Sequence, residues 1–288
     1  MDYTTLAAQL FLTGIFLSSL YVLVTFGLTM IFGVMGIVNF AHASFAILGG
    51  YLCLVAVTSL GMNPFLALVP VVVFMALVGW LTFDFFARYT LDLGDSHVVI
   101  YYALLLIISN ILALIFGLDY KFIPSSLGYT QFQLGSVKYP VIKVLVALLS
   151  LAIVGGLSLY LKFSETGKKI RAVSQSKESA EILGIDSFRI QRITWVIGVV
   201  SAGLMGALVG LVNPFSPYAG TTYLIVAFSV AILGGMGSLF GTIVAGFIVG
   251  MTESLCSLIL PSQISPVVSF LLIIFVLMLK PEGLFRRA

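Results

Sequence analysis

Charged side chains are scarce in this sequence. They make up 9% of its 288 residues while 60% are hydrophobic, whereas about a quarter of the residues of a soluble domain are charged. Several apolar runs approach or exceed the roughly 20 residues that a helix needs to cross a bilayer. These runs are continuous rather than alternating, which argues against a membrane β-barrel. The composition therefore predicts an all-α, polytopic bundle of transmembrane helices.

Residue types that carry catalysis or bind metals are equally sparse. The chain has two cysteines and two histidines, and they lack the spacing of a zinc site. We expect Cys53 and Cys256 to be small apolar side chains in the interior. No glycine-rich phosphate loop is followed by Lys-Ser or Lys-Thr, so ATP hydrolysis is not expected of this chain. These absences argue against an enzyme and predict no metal or cofactor in the chain itself.

The basic residues are concentrated in one polar segment. Residues 162–192 hold seven of the fourteen lysines and arginines, together with four acidic residues. Three more basic residues follow the last apolar run: Lys280, Arg286 and Arg287. Since basic segments between spans remain in the cytoplasm, we expect 162–192 and the C-terminus to lie there. The mixed loop 118–140 and the turn 213–220 then face outside. The net charge of +3 gives no indication of a nucleic-acid partner.

The apolar segments define one transmembrane domain over residues 1–288. They are 6–32, 37–59, 64–86, 98–117, 141–161, 193–212, 221–233, 242–260 and 266–279. This pattern predicts eight or nine passes. The first segment lacks a basic n-region and a small-residue cleavage site, so no removable signal peptide is expected.

Two glycine-rich breaks interrupt the apolar pattern. GVMG at 33–36 and GGMG at 234–237 are related by a constant sequence offset, and Gly49 matches Gly250 at the same offset. One interpretation is chance in a glycine-rich membrane protein, and the other is an internal repeat with a discontinuous helix in each half. Transporters place binding regions at such breaks, because unwound backbone is tolerated where it lines a cavity. The candidate translocation path therefore comprises Gly33, Gly36, Asn39, His42, Gly234, Gly235 and Gly237.

Polar side chains inside the apolar segments have two interpretations. An unpaired polar group in hydrocarbon is costly, so Asn39 and His42 should face protein or water. Asn39 either bonds the interrupted backbone, with His42 bonding a neighbouring helix, or both line the solute path. Asp84 and Glu253 are expected to be interfacial carboxylates or partners of basic residues, with a role in conduction as the alternative.

The segment 162–192 has the signals of a capped helix. Ser164 or Thr166 can cap its start, Gly184 can end it, and Ser174 and Ser176 can divide it into two pieces. Apolar residues fall near one face at helical spacing: Ile170, Val173, Ala180 and Leu183. We favour a docking helix over a solvated loop, because apolar residues on a loop helix need a surface to cover.

Four sequence blocks carry a resemblance to a known family. They are GLTMIFGVMGIVNFAHASFAILGGY (27–51), TGKKIRAVSQSKESAEILGID (166–186), LGGMGSLFGTIVAGFIVG (233–250) and KPEGLF (280–285). In this order they resemble the membrane permease subunits of branched-chain amino acid ABC importers, most of all the shorter of the two paired permeases. The chain departs from the family pattern at Ala43 and Ser44, where glycine and often an acidic residue are expected.

The resemblance implies a bacterial inner-membrane importer that works by alternating access. Its implied partners are membrane lipid, a second related permease, two cytoplasmic ATPase subunits that bind ATP and magnesium, and an extracytoplasmic solute-binding protein. The family's ATPase-coupling segment maps onto Gly167, Arg171, Ala172, Gln175, Ala180, Gly184, Ile185 and Asp186. Branched-chain or related hydrophobic amino acids are the implied solutes.

Other functions remain open at the level of sequence. Relatives of similar design carry urea, short amides or other small organic solutes. A passive channel for a small polar solute fits a glycine-rich repeat but does not need the segment 162–192. A secondary transporter requires intramembrane ionisable groups, of which this chain offers few.

Overall fold

The computed structural model describes residues 3–91, 96–134, 137–258, 265–280 and 283–285. Within these ranges the chain is a helical bundle, as the composition predicts. Arg286, Arg287 and the end of the predicted segment 242–260 lie outside the described residues.

The bundle is built from long apolar helices joined by short connections. In chain order the helices are α1 Tyr3–Met35, α2 His42–Thr58, α3 Leu68–Thr82, α4 Arg88–Thr90, α5 His97–Phe116, α6 Val141–Phe163, α7 Glu165–Gln175, α8 Lys177–Ile182, α9 Ser187–Gly210, α10 Gly220–Gly234, α11 Leu239–Cys256 and α12 Ser265–Leu279. A π-helical turn, Phe83–Ala87, joins α3 to α4. Among the described residues, six helices are long and apolar enough to cross a membrane: α1, α3 continued through α4, α5, α6, α9 and α11.

On one side of each glycine break the helix is short. α1 has 33 residues and extends roughly 50 Å, well beyond a hydrocarbon core of about 30 Å. α2 has 17 residues and α10 has 15, too few to span that core alone. Each of these short helices adjoins a break, and the helix on the other side of that break, α1 or α11, is a candidate span.

The centre of the bundle is formed by α1 and α9. Most residues of these two helices are buried, whereas only about a quarter of the residues in α3, α5 and α6 are buried. α1 packs against α11, α9 and α6, and α9 packs against α2 and α3. The exposed apolar faces of the outer helices suit contact with lipid.

Glycine permits close helix crossings at two positions that share the sequence offset of the breaks. A Cβ on Gly49 of α2 would collide with the backbone of Gly203 in α9. A Cβ on Gly250 of α11 would collide with the backbone of Ser18 in α1. Small residues let helix backbones approach closely, so the matched glycines serve the same packing role in the two halves.

The predicted outer loop 118–140 contains structure that the sequence analysis did not assign. Strands β1 Gln131–Leu134 and β2 Val137–Pro140 form an antiparallel hairpin. The hairpin contains β-branched and aromatic residues, which favour strands. Lys121 exchanges two backbone hydrogen bonds with Phe215, at 2.8 and 2.9 Å. The two segments predicted to face the same side of the membrane are therefore joined at one end of the bundle.

Candidate functional site

The first break lies between α1 and α2. Gly36 follows the last residue of α1 and has φ +68°, a left-handed conformation that favours glycine. Gly33, by contrast, lies inside α1. The prediction that the break begins at residue 33 is therefore wrong, because a glycine with helical dihedrals is tolerated in a long apolar helix at a cost of about 1 kcal/mol. Only at Gly36 does the backbone leave the helix.

The second break lies between α10 and α11. Gly234 ends α10, and Gly235 and Gly237 follow with φ +90° and +88°. The Ser238 hydroxyl then accepts a hydrogen bond from the Gly241 amide at 3.1 Å and caps α11. Gly36 and Gly237 occupy matching positions in the two related sequence blocks, and both are left-handed.

The two breaks meet in one cleft. Ile37 and Val38 of the first break and Met236 and Gly237 of the second line it. Its remaining walls come from α1 and α10: Leu28, Thr29, Phe32, Phe228 and Ala231. The cleft is apolar and has no room for a water molecule. In this conformation the junction of the two breaks is closed.

Asn39 and His42 are fully buried beside the first break. The Nε2–H of His42 donates a hydrogen bond to the Val24 carbonyl of α1 at 2.8 Å. Within the described part of the chain, the Asn39 amide atoms and His42 Nδ1 have no hydrogen-bond partner. His42 therefore bonds a neighbouring helix, as one interpretation predicts, but Asn39 does not bond the interrupted backbone.

The polar segment 162–192 folds as two short helices. The Ser164 hydroxyl accepts from the Gly167 amide at 2.9 Å and starts α7, and the Ser176 hydroxyl accepts from the Ser179 amide at 3.1 Å and starts α8. Gly184 follows with φ +78°, and the Asp186 carboxylate caps α9 through the Arg189 amide at 3.0 Å. The predicted start, division and end are confirmed.

The predicted coupling residues occupy different environments in this segment. Gly167 lies against the C-terminal turn of α6, where a Cβ would collide with the Leu161 carbonyl. The Arg171 guanidinium donates hydrogen bonds to the carbonyls of Leu161 and Lys162. Ala180 is buried. Ala172 and Ile185 are half-buried. The remaining members, Gln175, Gly184 and Asp186, are exposed.

One apolar residue of this segment departs from its predicted face. Ile170 and Val173 are buried with Ala180, but Leu183 is 79% exposed and its neighbour Ile182 is 86% exposed. The prediction for Leu183 is wrong because α8 ends at Ile182 and the helical spacing does not extend past it. Ile182 and Leu183 together form a small exposed apolar patch on this polar segment.

The segment is connected mechanically to the spans. α7 packs against α1, α6 and α9. Glu165, in its first turn, pairs with Lys168 at 2.8 Å, and the hydrogen bond and charge of Lys168 lower the pKa of the Glu165 carboxyl. The contact with α1 matters most, because α1 leads directly into the first break.

The two acidic residues noted in the sequence both have partners. Asp84, in the π-helical turn, forms an ion pair with Arg192 of α9 at 2.9 Å, which confirms the expected basic partner. Glu253 is buried, and its carboxylate accepts a hydrogen bond from the Tyr21 hydroxyl at 2.7 Å. The sequence does not predict Tyr21 as the partner of Glu253, because the two residues lie far apart in the chain. Its only signal is the rule that an ionisable residue inside a span needs a partner.

Comparison with known proteins decides the family. The sequence model of the family described as "Branched-chain amino acid transport system / permease component" matches residues 10–277. The chain belongs to this permease family. It is 28% identical to the high-affinity branched-chain amino acid transport system permease protein BraD of Pseudomonas aeruginosa, over 97% of this chain and 95% of the relative. Its identity with LivH of Escherichia coli is also 28%, over 97% of this chain and 95% of that protein.

The similarity extends to the archaea. The probable branched-chain amino acid transport permease protein LivH of Methanocaldococcus jannaschii is 28% identical over 97% of this chain and 93% of its own length. No solved structure matches the chain. The resemblance seen in the four sequence blocks is confirmed. This permease is a multi-pass membrane protein and a translocation component rather than an enzyme.

Proposed function

We propose that this permease is the translocation subunit of an ATP-driven importer for branched-chain or related hydrophobic amino acids. The observation that carries the proposal is the meeting of both glycine breaks in one closed cleft. The relatives are named as branched-chain amino acid permeases, which supports the solute class. An apolar cleft suits a solute with an aliphatic side chain, since burial of apolar surface is favourable.

The breaks and Asn39 form the proposed translocation path. Backbone groups that lose their helical partners at the two breaks cost several kcal/mol each in hydrocarbon, so they belong beside protein or a water path. A buried amide without a partner costs about 1–3 kcal/mol. The Asn39 amide is therefore stabilised in a state in which water or the polar end of a solute forms hydrogen bonds with it. The remaining members of the path are Gly33, His42, Gly234 and Gly235.

ATP enters the proposal through partner subunits. Two cytoplasmic ATPases bind ATP and magnesium and contact α7 and α8, where Ile182 and Leu183 are exposed. Movement of this segment reaches the first break through the contact of α7 with α1. A ligand or partner shifts such an equilibrium only by binding the two states differently. The exposed apolar patch of Ile182 and Leu183 is the surface that the ATPases bind differently in the two states.

The orientation follows from the charge distribution, and the remaining partners are those that membership of the permease family implies. The segment 162–192 and the C-terminus lie in the cytoplasm. A solute-binding protein docks on the opposite end, where the loop 118–140 and the turn 213–220 are joined. A second related permease completes the path as a heterodimer in the bacterial inner membrane.

The departure from the family pattern at Ala43 and Ser44 does not favour a polar solute. Ser44 is buried, and its hydroxyl bonds the Leu105 carbonyl and Ser109 of α5, both at 3.2 Å. The hydroxyl is thus used in packing α2 against α5. Urea and short amides are the alternative solutes, and the uptake experiment below includes them as competitors.

Uptake by reconstituted proteoliposomes tests the proposal. With both permeases, both ATPases and the binding protein present, labelled leucine should accumulate only with ATP and magnesium. Excess isoleucine or valine should compete, whereas urea and acetamide should not. Equilibration of leucine without ATP would indicate a passive channel, and accumulation driven by an ion gradient without ATP would indicate a secondary transporter. Competition by urea alone would reject the solute class.

A further inference from the structure

A groove lies where α6, α7 and α11 meet. Its volume is about 510 Å³. Three of its lining residues belong to the last turns of α6, two to α7 and three to the first turns of α11: Ser158, Leu161, Lys162, Ile170, Arg171, Leu239, Phe240 and Ile243. In the proposed orientation this is the cytoplasmic boundary of the membrane, so the inference rests on that orientation.

One wall of the groove is apolar and opens toward lipid. Phe240 is 66% exposed, and Leu159 and Phe163 on the neighbouring surface of α6 are 59% and 68% exposed. Such a surface suits hydrocarbon chains, because large apolar side chains at membrane depth face either protein or lipid. The groove is thus continuous with the lipid-facing surface of α6.

The other wall carries positive charge. Lys162 and Arg171 line it, and within the described residues neither forms an ion pair. Two guanidinium nitrogens of Arg171 donate to carbonyls at the end of α6, which fixes the position of its charge. The Lys162 ammonium lies 5.3 Å from the centre of the Phe163 ring. The nearby Ser158 hydroxyl has no partner among the described residues.

We propose that this groove binds an anionic phospholipid of the cytoplasmic leaflet. The acyl chains lie along Phe240 and Ile243, and the phosphate lies between Lys162 and Arg171, within reach of the Ser158 hydroxyl. Charge complementarity selects this occupant, since basic pockets between helices on the cytoplasmic side bind anionic headgroups. A bound lipid would brace α11, which follows the second break, against α7.

Native mass spectrometry of the full chain tests this proposal, with phosphatidylglycerol and phosphatidylcholine as the probes. The protein should retain phosphatidylglycerol in preference to phosphatidylcholine. Lys162→Gln should weaken that retention about fivefold, the effect of one basic residue near an anionic surface. Lys177→Gln is the matched control, because Lys177 lies on the same segment and outside the groove. It should leave retention unchanged.

Three results would overturn the proposal. They are equal retention of both lipids, an equal loss in both variants, or unaltered retention in Lys162→Gln. The same measurement on the assembled importer separates lipid from protein as the occupant. If assembly removes the lipid and protects Phe240→Cys from a thiol reagent, the groove is a subunit interface. Leucine uptake with ATP can succeed in each of these cases, so the two proposals fail independently.

Discussion

Gly36 and Gly237 have matching left-handed backbones, with φ +68° and +88°, at equivalent positions of the two glycine-rich blocks. Each lies in a break between an apolar helix and its successor. The helix before one break packs against the helix after the other, since α1 contacts α11 and α10 contacts α2. Helices from the two halves of the permease thus pack against each other in pairs, and the closed cleft lies between them.

Alanine at Gly36 should impair transport more than stability explains. A Cβ there meets no atom within 4 Å, so the cost is the left-handed backbone of a non-glycine residue, roughly 1–2 kcal/mol. Gly61 has φ +63° and equally open space, but it lies outside the proposed path. Gly61→Ala should lose similar thermal stability in detergent and keep normal uptake. Equal uptake in the two variants would contradict a role for the first break.

Valine at Gly184 should uncouple ATP hydrolysis from uptake. Gly184 has φ +78° and open space around it, so Val strains the turn between α8 and α9. Gly117, with φ +79° and equally open space, is the matched control outside this segment. The ratio of solute transported to ATP hydrolysed should fall only in Gly184→Val. Unchanged coupling with normal assembly of the complex would remove the coupling claim.

A charge at Ala180 should have the same effect through packing. Ala180 is 2% exposed, and an unpaired buried carboxylate is unfavourable. Ala180→Asp should therefore displace α8 while leaving the spans folded. Ser179→Asp places the same charge on an exposed neighbour and serves as control. Co-purification of the ATPases with each variant measures the difference, and equal recovery would count against docking on this surface.

Loss of the Tyr21 hydroxyl should destabilise the bundle without altering its charge. Tyr21→Phe leaves the buried Glu253 carboxylate without its 2.7 Å donor, at a cost of about 1–3 kcal/mol. Tyr102→Phe is the control, because Tyr102 is 53% exposed on α5. The melting temperature in detergent should fall only for Tyr21→Phe. Similar values for both variants would show that this hydrogen bond adds nothing.

Local features of the permease follow from the sequence because they depend on neighbouring residues. Ser164, Ser176 and Gly184 mark the ends of α7 and α8, since caps and left-handed turns are set by a few adjacent positions. The start of the first break was misplaced because Gly33 and Gly36 are chemically identical. Only packing decides which of them leaves the helix.

Features that depend on distant residues could not be predicted in the same way. The bridge between Lys121 and Phe215 and the bond between Tyr21 and Glu253 join parts of the chain with no shared periodicity. The meeting of the two breaks is of the same kind. The constant offset between the two glycine-rich blocks indicated that they correspond, but only the fold brings Val38 and Met236 to one cleft.

The distance between residues 38 and 236 tests the central claim most directly. Spin labels at Val38→Cys and Met236→Cys, in a chain with both native cysteines replaced by alanine, can be measured in the assembled importer with and without trapped ATP. A second labelled pair, at Phe11 and Leu255 of the packed helices α1 and α11, reports on rigid parts of the bundle. If the breaks form the path, the 38–236 distance differs between the two states while the 11–255 distance does not. An identical 38–236 distance in both states would contradict that claim.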